Sequence, residues 1–361
     1  MQVPLFRVFA AVGLLFLGVA AQVPAYAEAT RPVAAPQKYE SYAIGDIHAP
    51  TPGKVQPGLM LMGGGDWAVE AFRWMAGRAG NGHIVILRAS GAAGAQEEFF
   101  NDVGGILSAQ TFVFHDRASA SDPRMLEIVR KADGIFIAGG DQSNYVNFWK
   151  GTPLDEALNQ HVRDGKPLGG TSAGLAIMGG YSYGAMDGGS LTSEEALRDP
   201  MGPAVTLVDD FLQLPPLPAH QVITDSHFGK RERLGRLITF VARIAKEQST
   251  PAIKGIGVDE NTALCIDGDG MGKVFTGSGG SAWLVVPQAL LDLQAQGNPQ
   301  AYADFMKGRL EPGQALDFPG FRVTGIGAGS RLSLPGFSVE NPSFQLIADV
   351  NRGRLVVRPL D

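Results

Sequence analysis

A chain of 361 residues, 45% hydrophobic and 18% charged, holds enough material for one large globular domain with additions. Its 30 basic residues against 36 acidic ones leave a formal charge of −6, which excludes a general nucleic-acid binder, because counterion release needs a basic surface. A single cysteine, Cys265, excludes an internal disulfide framework, and its place in the apolar run 262–266 marks it as a small core residue.

Residues 1–27 read as a secretory signal. Arg7 supplies the positive start, residues 8–20 the apolar stretch, and Ala25-Tyr26-Ala27 the small residues before a cut after Ala27. The apolar stretch is short for a membrane span, so the expectation is a secreted protein, extracellular or periplasmic, with no membrane contact after cleavage. Residues 28–57 carry five prolines and little periodicity, and read as a linker or arm. From residue 58 the chain alternates short apolar runs (58–62, 83–88, 111–114, 134–138, 166–170 and 221–224) with helix-length amphipathic segments such as 125–132, 154–164 and 231–246. That alternation predicts a doubly wound, mainly parallel sheet with helices on both faces, over a catalytic-type domain at 58–290. Ligands of such sheets sit beyond the carboxyl ends of the strands, and the glycine-rich and polar stretches fall there. Segments 255–267 and 273–286 read as antiparallel hairpins, and 291–361 as a β-rich C-terminal extension packed on the core.

Gly170-Thr171-Ser172-Ala173-Gly174 fits G-x-S-x-G, a turn in which small neighbours let a serine take strained backbone geometry and expose its Oγ. The amide of Ala173 then opens a helix and suits an oxyanion, with Gly140 as the second candidate donor. Of six histidines, His227 follows the run 221–224 at the edge where Ser172 belongs, and is the candidate base; His115 is held in reserve. A carboxylate should orient the imidazole, and Glu194, Glu195, Asp187 and Asp225 are all open candidates from the residues alone. Lys230, Arg231, Arg233 and Arg236 form a basic helix start suited to substrate carboxylates. No metal-ligand spacing is present, and neither metal nor cofactor is expected.

Together these stretches resemble the cyanophycinase branch of the S51 serine peptidases: Gly63-Gly64-Gly65, Gly139-Gly140-Asp141-Gln142, the segment 169–174, the segment 224–236 and the segment 255–260. The resemblance implies a class I glutamine-amidotransferase-like fold and hydrolysis of cyanophycin, a poly-aspartate bearing arginine on each β-carboxyl, to β-Asp-Arg dipeptides. It places the nucleophile on Ser172, the base on His227 and the acid on Glu194, with Glu195 as the alternative. It places substrate contacts on Gln142, Asp225, Ser226, Arg231, Arg233 and Arg236, with Ser226 standing where intracellular members commonly have glutamine. The expected partners are a polypeptide-like polymer and, as an alternative to a monomer, a second copy of the chain. Rival readings are an S51 dipeptidase acting on Asp-X or isoaspartyl dipeptides, an α/β-hydrolase esterase, and a non-catalytic binding relative. His227 follows Ser172 too closely for the esterase, and no His-Gly-Gly-Gly loop is present.

Overall fold

The computed structural model describes residues 39–360 apart from residues 92, 93, 219 and 298. The expected leader and the first part of the expected arm lie outside the described residues. The strands are, in chain order, β1 (Tyr39–Gly45), β2 (Gly58–Met62), β3 (His83–Arg88), β4 (Ser108–Phe114), β5 (Gly134–Ile137), β6 (Leu168–Thr171), β7 (Tyr181–Tyr183), β8 (Leu207–Asp209) and β9 (Val222–Asp225). They continue as β10 (Lys254–Val258), β11 (Thr262–Asp267), β12 (Met271–Thr276), β13 (Ala282–Val286), β14 (Phe318–Ile326), β15 (Arg331–Ser333), β16 (Ser338–Glu340), β17 (Gln345–Asn351) and β18 (Arg354–Pro359).

These strands form two sheets. The first runs β1-β4-β3-β5-β6-β2-β11-β12-β15-β16, and its centre, β4-β3-β5-β6-β2, is parallel throughout. The second runs β18-β17-β14-β13-β10-β9-β7-β8, with β7, β9 and β10 parallel. Antiparallel strands extend both sheets, so the C-terminal region supplies β14, β17 and β18 to one and β15 and β16 to the other. The fold is therefore α/β with a β-rich C-terminal elaboration. Part of the stretch expected as an arm is an edge strand: β1 pairs antiparallel with β4 from Tyr39 opposite Phe114 to Gly45 opposite Ser108.

The continuous apolar runs follow from burial on both faces. In β2, Leu59 and Leu61 enter one core while Met60 and Met62 enter another, as a period of two requires. Met60 and Met62 pack under the helix Val69–Arg78 through Phe72 and Met75. Leu59 and Leu61 share the largest core with Met125, Leu158 and, from the second sheet, Ile256 and Leu284.

The helix Leu234–Glu247 covers the second sheet with Leu237, Phe240, Val241 and Ile244, recurring at three- and four-residue intervals. Each such side chain, fully buried, stabilises by about 1.5–3 kcal/mol. Its first turn has no N-cap side chain of its own; Ser193 instead accepts the Arg236 amide at 3.1 Å and donates to the Glu232 carbonyl at 2.6 Å. That pairing ties the helix start to the neighbouring helix Ser193–Arg198.

Candidate active site

The site forms where parallel strands of both sheets end. After β6, Ser172 takes φ +53 and ψ −115, a backbone region that costs an L-residue about 1–3 kcal/mol and persists only where the surroundings enforce it. They do so through close packing. A Cβ on Gly174 would lie 2.2 Å from the Ile137 carbonyl oxygen, and one on Gly170 would lie 2.7 Å from the Gly174 backbone. The two glycines of the sequence motif are thus steric requirements of the turn. The result lifts Ser172 to the mouth of a cleft with Ala173 opening the short helix Ala173–Ala176.

Ser172 Oγ lies 2.7 Å from Nε2 of His227, which follows β9. His227 Nδ1 lies 2.7 Å from Oε1 of Glu260, and Glu260 Oε2 lies 3.0 Å from Lys230 Nζ. Serine, imidazole and carboxylate therefore form one hydrogen-bonded line. Burial holds the imidazole below its ordinary value of 6.5, with Arg231 and Arg233 acting the same way, while the Glu260 hydrogen bond opposes them. The His227 hydrogen bond, reinforced by Lys230, holds the Glu260 carboxyl below its usual range. At neutral pH this is a neutral base oriented by an anion, able to take the hydroxyl proton of Ser172.

The turn after β2 aligns all three segments without giving a side chain to the chemistry. The carbonyls of Met62, Gly63 and Gly64 accept, in succession, the amides of Ser172 at 3.1 Å, His227 at 2.7 Å and Asn261 at 2.8 Å. Gly64 has φ +98, and a Cβ there would lie 2.3 Å from His227 Cε1, so the imidazole rests directly on its backbone.

The carboxylate differs from the sequence expectation. Glu194 is exposed on the helix Ser193–Arg198 and has no bond to His227. Glu195 closes a capping box, its Oε2 accepting from the Thr192 amide at 2.9 Å and hydroxyl at 2.8 Å. Their side chains belong to the start of a helix. Glu260 occupies the position instead, on the connection between β10 and β11. The segment 255–267, expected as one hairpin, divides there: β10 joins the second sheet and β11 the first. Asp259 fixes the connection by accepting from the amides of Gly229 and Ser281 and from the Trp283 indole, at 2.8, 2.9 and 3.0 Å. Because β10 is parallel to β9, its carboxyl end falls on the same edge as that of β9.

The expected substrate contacts separate into two groups. Gly140, Gln142, Ser226, Arg231 and Arg233 line the cleft beside Ser172 and His227, in a space of about 580 Å³. Asp225 and Arg236 do not line it. Arg236 is 1% exposed and grips Asp225 through Nε and Nη2, at 2.7 and 2.5 Å, while also donating to Ser190 Oγ and the Leu191 carbonyl, both at 2.9 Å. Its guanidinium sits over Tyr183 and Phe240. This buried pair ties β9 to the 187–191 loop and is structural. Arg233 reaches both regions: Nη1 donates to the Ser226 carbonyl at 2.8 Å, and burial lowers its pKa to about 10. Gln142 Nε2 donates to the Tyr183 carbonyl at 2.5 Å. Asp141 and Asn147 also line the cleft and were not among the expected contacts. The reserve base His115 lies at the β1–β4 edge, 3.0 Å from Glu40.

With this geometry established, the comparisons decide the family. The sequence profile of Peptidase family S51 matches residues 59–274, more than half of the chain. The chain belongs to peptidase family S51. A cyanophycinase of Trichormus variabilis is 30% identical over 251 residues, covering 66% of this chain and 77% of that protein. A cyanophycinase of Synechococcus elongatus is 35% identical over 192 residues, 53% of each chain. Among solved structures, a peptidase from an acI-B1 Actinobacterium aligns over 85% of this chain and 98% of its own, with 15% identity and a TM-score of 0.43. This S51 member is a serine-type, cyanophycinase-like peptidase, and the strands from β2 to β12 fall largely within the matched span.

Proposed function

We propose that the chain hydrolyses cyanophycin to β-Asp-Arg dipeptides, using Ser172 as nucleophile, His227 as base and Glu260 as the orienting acid. The observation that carries this reading is the hydrogen-bonded line from Ser172 Oγ, beside the cleft, through His227 to Glu260. Ser172 Oγ attacks a main-chain carbonyl of the poly-aspartate as its proton passes to His227 Nε2, and the amides of Ala173 and Gly140 receive the developing oxyanion. His227 then protonates the leaving amine, and the C–N bond breaks to leave an acyl-enzyme. His227 then deprotonates a water that attacks the ester carbonyl, and as the C–Oγ bond breaks to release the acid product His227 returns the proton to Ser172 Oγ. Arg231 and Arg233 both line the cleft, and although the Arg233 guanidinium is bonded to Asp225, Ser226 and Ser190, their positive charge suits the carboxylates of such a polymer. The leader composition of residues 1–27 supports a site of action outside the cytoplasm.

Incubation of the purified protein with insoluble polymer, with product analysis by mass spectrometry, tests the reading. Release of the β-Asp-Arg dipeptide is expected. Ser172→Ala is expected to abolish release while leaving the thermal unfolding midpoint in place. Turnover of free Asp-X or isoaspartyl dipeptides with no attack on polymer overturns the substrate, and undiminished hydrolysis by Ser172→Ala overturns the nucleophile.

A further inference from the structure

A substrate side chain ending in a guanidinium needs an anion in the cleft, and Asp225 and Gln142 are the side chains that the sequence offers for it. The structure removes Asp225 from that role and leaves Gln142 there only as an uncharged acceptor. Asp225 is 2% exposed, and its two carboxylate oxygens are bound by Arg236, with Arg233 Nη1 at 3.3 Å and its neighbouring Ser226 amide at 2.8 Å. Gln142 donates Nε2 to the Tyr183 carbonyl, which orients its Oε1 as a neutral acceptor but supplies no negative charge. Among the cleft-lining residues one carboxylate remains, that of Asp141.

We propose that Asp141 is the specificity-determining residue that selects a guanidinium-bearing side chain; this rests on the reading of the cleft as a site for β-linked aspartyl-arginine. Asp141 is the N-cap of the helix Gln142–Trp149, and its Oδ1 accepts from the Ser143 amide at 2.9 Å and hydroxyl at 2.7 Å. Its own amide donates to Ser90 Oγ at 2.8 Å. The carboxylate is therefore anchored through one oxygen, and the second has no hydrogen-bond partner among the described residues. Two residues earlier, a Cβ on Gly139 would stand 3.2 Å from Ser172 Cβ, so the turn that carries Asp141 abuts the nucleophile. Arg231 and Arg233 line the same cleft. One anion and two cations beside a single hydroxyl suit a ligand unit carrying one guanidinium and free carboxylates.

The test separates charge from architecture, because asparagine also caps helices and Asp141→Asn keeps the bond to the Ser143 amide. Two synthetic trimers serve as probes: three β-Asp-Arg units, and the same trimer with citrulline, a neutral isostere, in place of each arginine. The parent is expected to prefer the arginyl trimer by about tenfold in kcat/KM, the scale of one charge-assisted hydrogen bond at a partly solvated site. In Asp141→Asn the arginyl kcat/KM is expected to fall by about that factor through KM, and the citrullinyl value by less, so the ratio collapses toward one. Asp141→Ser, which retains a capping oxygen, repeats the measurement if the asparagine variant folds poorly. A preference retained in both variants, or no preference in the parent, overturns the assignment of Asp141. A parent that cleaves neither trimer nor polymer overturns the underlying substrate reading instead.

Discussion

Replacement of Glu260 by glutamine gives a sharp test of the hydrogen-bonded line, because the two carboxylate oxygens have different partners. Oε1 faces His227 Nδ1 at 2.7 Å and Oε2 faces Lys230 Nζ at 3.0 Å. The Lys230 ammonium can only donate, so in Glu260→Gln the amide oxygen turns to it and the amide NH₂ turns to the imidazole. Nδ1 must then accept, which places the ring proton on Nε2, where it cannot receive the proton of Ser172. A wrong tautomer of this kind lowers kcat by roughly 10⁴-fold, equivalent to about 5 kcal/mol of transition-state stabilisation. Combining the change with Lys230→Met frees the amide to reverse, and the double variant is expected to regain about tenfold. Steady-state hydrolysis of polymer gives the rates, and nitrogen NMR of the imidazole reports the tautomer. The reasoning fails if Glu260→Gln stays within tenfold of the parent, if the double variant is no faster than the single, or if Glu194→Gln loses as much as Glu260→Gln.

Gly64→Ala places a methyl against His227 Cε1 in a backbone conformation unfavourable to alanine; activity is expected to fall by at least 10²-fold, with far-UV circular dichroism unchanged. Arg236→Met leaves Asp225 buried with Arg233 as its one remaining cation, and is expected to lower stability by about 3–5 kcal/mol in urea unfolding; an unchanged midpoint would contradict the structural role given to the pair. The acid limb of kcat/KM should fall below pH 6.5, since burial depresses His227 and its neutral form is the base. Both His227 and Glu260 have folded pKa values below their unfolded ones, so their contribution to stability is complete above the unfolded values and is lost as pH falls through the folded ones. An acid limb centred above pH 6.5 would count against the buried neutral base.

Much of this arrangement was legible because local rules and global position agreed. The runs that became β2, β3 and β5 are apolar on both faces, and the elbow at 170–174 needs two glycines for reasons visible in the motif itself. His227 could be found because its strand was recognised as parallel and its position followed. Glu260 was missed through the same logic applied to the wrong pairing. With 255–267 taken as a hairpin, its turn had no claim to the catalytic edge, although the stretch 255–260 belonged to the family resemblance. The available signal was the short run 254–258 followed by Asp-Glu, the same run-then-polar pattern that exposed His227. Arg236 was misassigned for a different reason: sequence places it one helical turn from Arg233 but does not tell which guanidinium meets a buried carboxylate. Asp225 supplies that carboxylate, and only the packing of β9 against the helix Leu234–Glu247 shows it.

The three residues of the hydrogen-bonded line come from different layers of the molecule. Ser172 extends from the first sheet, His227 from the second, and Glu260 from the chain as it crosses between them. Such a peptidase behaves as an interlock. A slight loosening between the sheets, too small to melt a strand or expose a core, parts the serine from its base, so catalytic competence should vanish on heating before secondary structure does. A partly opened or half-assembled chain is thereby disarmed, and turnover becomes a gauge of how well the two layers are joined.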